Sequence, residues 1–242
     1  MTLQQAETRI AVAGGELPVL VIGSRDTSLP TVVVLGEIWA VNRQIRGLCR
    51  RLAAEGFNVV APDLYRGDGI PPAEASQDEL NQSFAVFPDV RAIRDLRVLL
   101  QAIAVGRLET GRAPPCIWGF CMGGRFAHYM AALDSGIAGA INFYGRLNFP
   151  RTAAKPFSPL DLCELTRVPY LGVFAEHDPL IPLADVEELR RRMQKLGMAD
   201  SVKVFEGAQH GFMNETRPAH NPAVAAAAWT LAVDFIRARS RA

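Results

Sequence analysis

No stretch of this chain approaches the ~18 consecutive apolar residues of a membrane-spanning helix, so none is expected to cross a bilayer. An excess of charge of either sign is also missing. The 26 Lys and Arg residues face 25 Asp and Glu, and nothing favours nucleic acid or an anionic membrane as partner. Cysteine is scarce: Cys49, Cys116, Cys121 and Cys163 show no C-x-x-C spacing. Neither a zinc site nor a disulfide framework is expected, and no metal or cofactor is implied. The opening Met1-Thr2-Leu3-Gln4-Gln5 lacks the charged stretch and apolar core of a secretory signal. The expectation is a soluble cytoplasmic protein with reduced thiols. What the chain does have is apolar mass: 49% of its 242 residues are hydrophobic, enough for a sizeable core.

Strand and helix signals alternate. Short β-branched runs at Leu17 to Ile22, Thr31 to Leu35, Asn58 to Pro62, Gly139 to Tyr144, Tyr170 to Ala175 and Val202 to Phe205 predict strands. Asn42 is placed to cap a helix running to about Glu55, ended by Gly56, and Asp89 to cap another with Ile93, Leu96, Leu99 and Leu100 inward. Further helices are expected over Leu183 to Leu196 and Pro222 to Arg239. Residues 65–88, rich in Gly and Pro, read as a cap-like loop with one short helix near Gln77 to Ala85. Residues 146–167 read as another loop. The alternation predicts an α/β fold, a largely parallel sheet with helices on both faces, in one domain over 1–242. Ligands of such sheets lie beyond the carboxyl ends of the strands.

Cys121 sits in Trp118-Gly119-Phe120-Cys121-Met122-Gly123-Gly124, the G-x-nucleophile-x-G spacing of a strand-to-helix elbow with thiol in place of hydroxyl. Glycine at 119 and 123 lets strand and helix close together around a strained nucleophile. The helix N-terminus directed at the sulfur favours thiolate. Asp178 and His210 also follow expected strands. Their order after Cys121 is that of α/β-hydrolases, in which imidazole takes the thiol proton and a carboxylate fixes its tautomer. Glu37, after the strand beginning at Thr31, lies in the loop that lends a backbone N–H to an oxyanion hole. Here the donors would be Ile38 and Met122.

With Gly36-Glu37-Ile38-Trp39, Pro62-Asp63-Leu64-Tyr65, the cysteine elbow, Asp178 and His210 in order, the chain resembles the dienelactone hydrolase, or carboxymethylenebutenolidase, family over about residues 10 to 238. The resemblance implies an α/β-hydrolase fold with Cys121 as nucleophile, His210 as base and Asp178 as orienting acid. It implies that Glu37 holds the resting thiol until substrate displaces it, and that an enol-lactone opens through a thioester that water hydrolyses. The family clamps a substrate carboxylate with one arginine from the cap and one four residues after the histidine. Here that last position is Asn214, and Glu74 to Phe87 contains no arginine. Arg217, Arg146, Arg125 and Arg66 are the candidate substitutes. Trp39 and Tyr144 are further candidates to line the substrate site.

Other cysteine enzymes fit less well. A glutamine amidotransferase places an acid two residues after its histidine, where this chain has Phe212, and a DJ-1-like protein follows its cysteine with a residue such as His, not Met122. The expected activity is cysteine-dependent hydrolysis of a small ester or lactone by a monomer or small homo-oligomer. The alternative is a catalytically impaired small-molecule binding protein on the same fold.

Overall fold

The computed structural model describes residues 3–239, so Met1 and Thr2 of the run read for a secretory signal, and the last three residues of the expected domain, lie outside the described residues. Strands β1 (Gln4–Val12), β2 (Gly15–Gly23), β3 (Thr31–Leu35), β4 (Asn58–Pro62), β5 (Cys116–Phe120), β6 (Gly139–Phe143), β7 (Tyr170–Ala175) and β8 (Val202–Phe205) form one sheet in the order β1-β2-β4-β3-β5-β6-β7-β8. The pairs β1–β2 and β2–β4 are antiparallel. From β4 through β3 to β8 the pairing is parallel.

Strands β3 to β7 are buried on both faces, which is why they read as near-continuous apolar runs rather than alternating ones. The helices are α1 (Arg43–Ala54), α2 (Gln77–Val86), α3 (Asp89–Ala104), α4 (Met122–Leu133), α5 (Pro159–Leu162), α6 (Leu183–Lys195) and α7 (Pro222–Arg239). Trp118 of β5 meets Trp229 of α7, ring centroids 5.0 Å apart, and Arg51 of α1 lies over the same indole. Helices α1 and α7 therefore share one face of the sheet. Gly119, the next residue along β5, packs against Gly123 of α4 on the opposite face. The result is the two-sided α/β arrangement expected. Among the described residues, no helix is long and apolar enough to cross a membrane.

Three readings need correction. β1 was not anticipated, because its polar run is exposed along most of its length and carries little apolar signal. Asp89 is the first residue of α3 rather than its cap, Pro88 holds the cap position, and the Asp89 side chain is buried elsewhere. The loop 146–167 contains α5 and a 3-10 turn, Cys163–Leu165, nucleated by a capping box between Ser158 and Asp161.

Candidate active site

Loops leaving the carboxyl ends of β3, β5, β7 and β8 meet beyond one rim of the sheet. Cys121 follows β5 directly with φ 52° and ψ −111°. That conformation costs a non-glycine residue about 1–3 kcal/mol. Backbone bonds hold the turn: Cys121 N–H donates to the Phe143 carbonyl and Gly123 N–H to the Gly36 carbonyl, both at 2.9 Å. A Cβ on Gly123 would lie 2.2 Å from the Leu35 oxygen, and one on Gly119 would lie 2.0 Å from the Gly123 oxygen. Both are backbone atoms, so the two-residue glycine spacing is a requirement of close approach.

His210 Nε2 lies 3.1 Å from the Cys121 Sγ, and Nδ1 lies 2.7 Å from Asp178 Oδ2. The other Asp178 oxygen accepts the Leu180 N–H at 2.8 Å, which fixes the carboxylate's aim. Burial by itself would lower the affinity of His210 for its proton. The Cys121 sulfur and then the Asp178 carboxylate outweigh it, pushing the imidazole up to about 10. An imidazole that keeps its proton beside sulfur is the partner a thiolate needs.

Glu37 is buried at the wall of the same cavity. Asn214 Nδ2 donates to its Oε2 at 2.6 Å and the Tyr144 hydroxyl to its Oε1 at 3.5 Å. Burial raises its pKa, against the bond from Asn214 and the nearby positive charge of His210 and Arg217. The cavity in front of Cys121 measures about 360 Å³ and is lined by Glu37, Ile38, Met122 and His210, with Leu80 and Phe84 of α2 as roof.

The dienelactone hydrolase family matches residues 17–240. The chain belongs to that family. A protein of Escherichia coli strain K12 named "Putative carboxymethylenebutenolidase" is 30% identical over 88% of this chain and 78% of its own length. A Bradyrhizobium protein named "Probable 2-oxo-3-(5-oxofuran-2-ylidene)propanoate lactonase" is 29% identical over 86% of this chain and 84% of its own. A solved structure of a "Putative Dienelactone Hydrolase" from Klebsiella pneumoniae superposes with a TM-score of 0.88 at 28% identity, covering 98% of this chain and 99% of that one. The chain is thus a dienelactone hydrolase-like hydrolase with the α/β-hydrolase fold.

Within this dienelactone hydrolase fold the candidate residues separate into those that meet at the cavity and those that do not. Cys121, His210, Glu37, Ile38, Met122 and Trp39 line it, while Asp178 stands behind His210. Ile38, in the loop after β3, and Met122, at the first position of α4 where backbone N–H groups have no helical acceptor, line the same cavity as the sulfur. Tyr144 is fully buried, with φ 40°, and supports Glu37 from behind rather than facing the cavity. Arg66 is committed to Asp95 through two bonds, 2.6 and 2.9 Å, and so belongs to the base of the cap.

Arg125, Arg146 and Arg217 do line the cavity. Arg125 is completely buried, pairs with Asp89, and lies among the rings of Phe84, Phe126 and Phe149. Its Nε and Nη2 have no hydrogen-bond partner among the described residues. Lys155, also buried, donates to the same Asp89 at 3.0 Å. Two cations on one carboxylate leave a surplus of positive charge under the cap.

Asn214 is a cavity residue whose contact the sequence does not signal. Its place four residues after His210 registered only as a missing arginine, whereas its amide is what holds Glu37. The other histidines stay apart. His128 is buried on Tyr170, and burial pushes it down to about 3, while His177 is exposed beside Glu176. Among the described residues no cluster of His, Cys, Asp and Glu is placed to hold a metal ion.

Proposed function

We propose that this hydrolase opens small esters or enol-lactones through a thioester on Cys121. The observation that carries the reading is the continuous chain from the Cys121 sulfur to His210 at 3.1 Å and on to Asp178 at 2.7 Å, at the wall of an accessible cavity. His210 takes the thiol proton and the sulfur attacks the carbonyl carbon. The oxyanion forms between the N–H groups of Ile38 and Met122, each such donor being worth roughly 3 kcal/mol. As the C–O bond breaks, His210 returns the proton to the leaving oxygen. Water, deprotonated by the same imidazole, then cleaves the thioester and releases the acid. Asp178 keeps Nε2 facing the sulfur and stabilises the imidazolium.

The three cavity arginines favour a substrate with an anionic portion. Two nitrogens of the buried Arg125 guanidinium lack an acceptor among the described residues, and a carboxylate supplies bidentate acceptors. The cavity of about 360 Å³ suits a compact molecule. The reading as an impaired binding protein has no observation in its favour, since the sulfur, imidazole and carboxylate are already in register.

The test is hydrolysis of p-nitrophenyl acetate and a panel of small lactones by Cys121→Ala and His210→Ala. Each variant should keep the wild-type far-UV circular dichroism spectrum and lose turnover. Retention of most activity by either would overturn the assignment.

A further inference from the structure

A second cavity, about 660 Å³, lies beside the catalytic one, against β2 and the β4 end of the sheet. The turn after β3 runs between them: Glu37 and Ile38 line the catalytic cavity, and Ala40, Val41 and Asn42 line its neighbour. Among the described residues Trp39 is the one that lines both.

Its indole is held by two other segments, which are themselves tied together. Trp39 Nε1 donates to the Pro72 carbonyl at 3.1 Å, and Arg217 Nη2 donates to the adjacent Ala73 carbonyl at 2.9 Å. The Arg217 guanidinium itself lies 4.0 Å from the centre of the indole, within the range of a cation–π contact. Arg217 lines the catalytic cavity and not its neighbour. The ring and the guanidinium stacked on it thus make a two-layer wall between the cavities. The wall is tied to the cap by neighbouring carbonyls of a Pro-Pro segment, whose fixed φ limits how far they can move.

From this geometry we infer that Trp39, latched by Arg217, is a specificity-determining partition. It confines substrates to the smaller cavity, and its removal joins the two spaces and admits long acyl or alkyl chains. Pro18, Val41 and the exposed Ile70 give the second cavity an apolar stretch against which such a chain would lie, beside the charged side chains of Glu7, Arg9, Arg46 and Asp63. The inference rests on the hydrolase reading only for one of its two readouts.

The first readout is kcat/KM for p-nitrophenyl octanoate relative to p-nitrophenyl acetate. The second is the rate of alkylation at Cys121 by N-octyl-iodoacetamide relative to iodoacetamide. The second needs only an accessible thiol, and the other three cysteines are buried. In Trp39→Ala both ratios should rise at least about tenfold, the low end of what a hydrophobic pocket discriminates. Arg217→Ala leaves the ring but frees it, so the ratios should rise by a smaller factor. Trp39→Phe keeps most of the wall and should stay near wild type.

Unchanged ratios in a folded Trp39→Ala would overturn the partition. Should that variant fail to fold, Arg217→Ala decides in the same way. If the wild-type protein hydrolysed neither ester, the hydrolase reading would fail while the alkylation ratio still decided the partition.

Discussion

At the scale of single residues, Glu37 shows how one neighbour changes what a side chain does. The family resemblance implies a carboxylate that restrains the resting thiol. In this structure both Glu37 oxygens are engaged, one by Asn214 and one by Tyr144, and the sulfur faces His210. Asparagine at 214 supplies a neutral donor to one Glu37 oxygen. Replacing Glu37 should therefore leave the Cys121–His210 hydrogen bond in place. Glu37→Gln should be alkylated by iodoacetamide at neutral pH at the wild-type rate, read by mass spectrometry of the Cys121 peptide. A several-fold acceleration would mean that Glu37 reaches the thiol after all. The residues with distinctive chemistry, Cys121, Asp178 and His210, could be nominated from type and order alone, and the structure brings the three side chains together. Asn214 could not, because an amide signals nothing until the group it faces is known.

Among elements, α3 and α4 are joined by charge as well as by apolar packing. Asp89, in the first turn of α3, pairs with Arg125 of α4 and Lys155 of the loop after β6, all three buried. The sequence places Asp89 at a helix start, where an acidic residue is favoured for its own sake by the helix dipole. That local explanation was sufficient and hid the tertiary one. The strands were legible for the opposite reason: β3 to β7 are apolar on both faces, so no local preference competes with burial. β1 escaped notice because an exposed edge strand has no such constraint. Removing the one anion of the cluster should be costly. Asp89→Ala leaves two buried cations without a counter-charge and should destabilise by about 3–5 kcal/mol, the usual penalty for breaking a buried pair. Urea unfolding measures it, and a loss within about 0.5 kcal/mol, typical of a surface change, would show that the cations are solvated in place.

For the molecule as a whole, stability above neutral pH is set by buried groups that pull in opposite directions. Against burial, the Cys121 sulfur and the Asp178 carboxylate raise His210 from 6.5 to about 10. The sulfur's share moves a proton within the pair, and the carboxylate's share makes the folded state bind more protons than the unfolded one across that interval. Its contribution is complete below 6.5 and fades as pH rises towards 10. Lys155 is lowered from 10.5 to about 8, chiefly by burial and then by Arg125. The folded state holds that proton less well, so the cost of burying the charge is relieved as pH climbs from 8 to 10.5. In the wild-type protein the two slopes partly cancel between pH 8 and 10. Lys155→Met removes only the second. It also leaves Asp89 and Arg125 as a one-to-one pair, and a methionine fills much of the lysine's volume. Its melting temperature should therefore fall more steeply than the wild type's from pH 8 to 9.5, while His210→Asn should fall less steeply. Parallel curves for all three proteins, recorded by circular dichroism at fixed ionic strength, would show that neither group titrates where its burial and its neighbours put it.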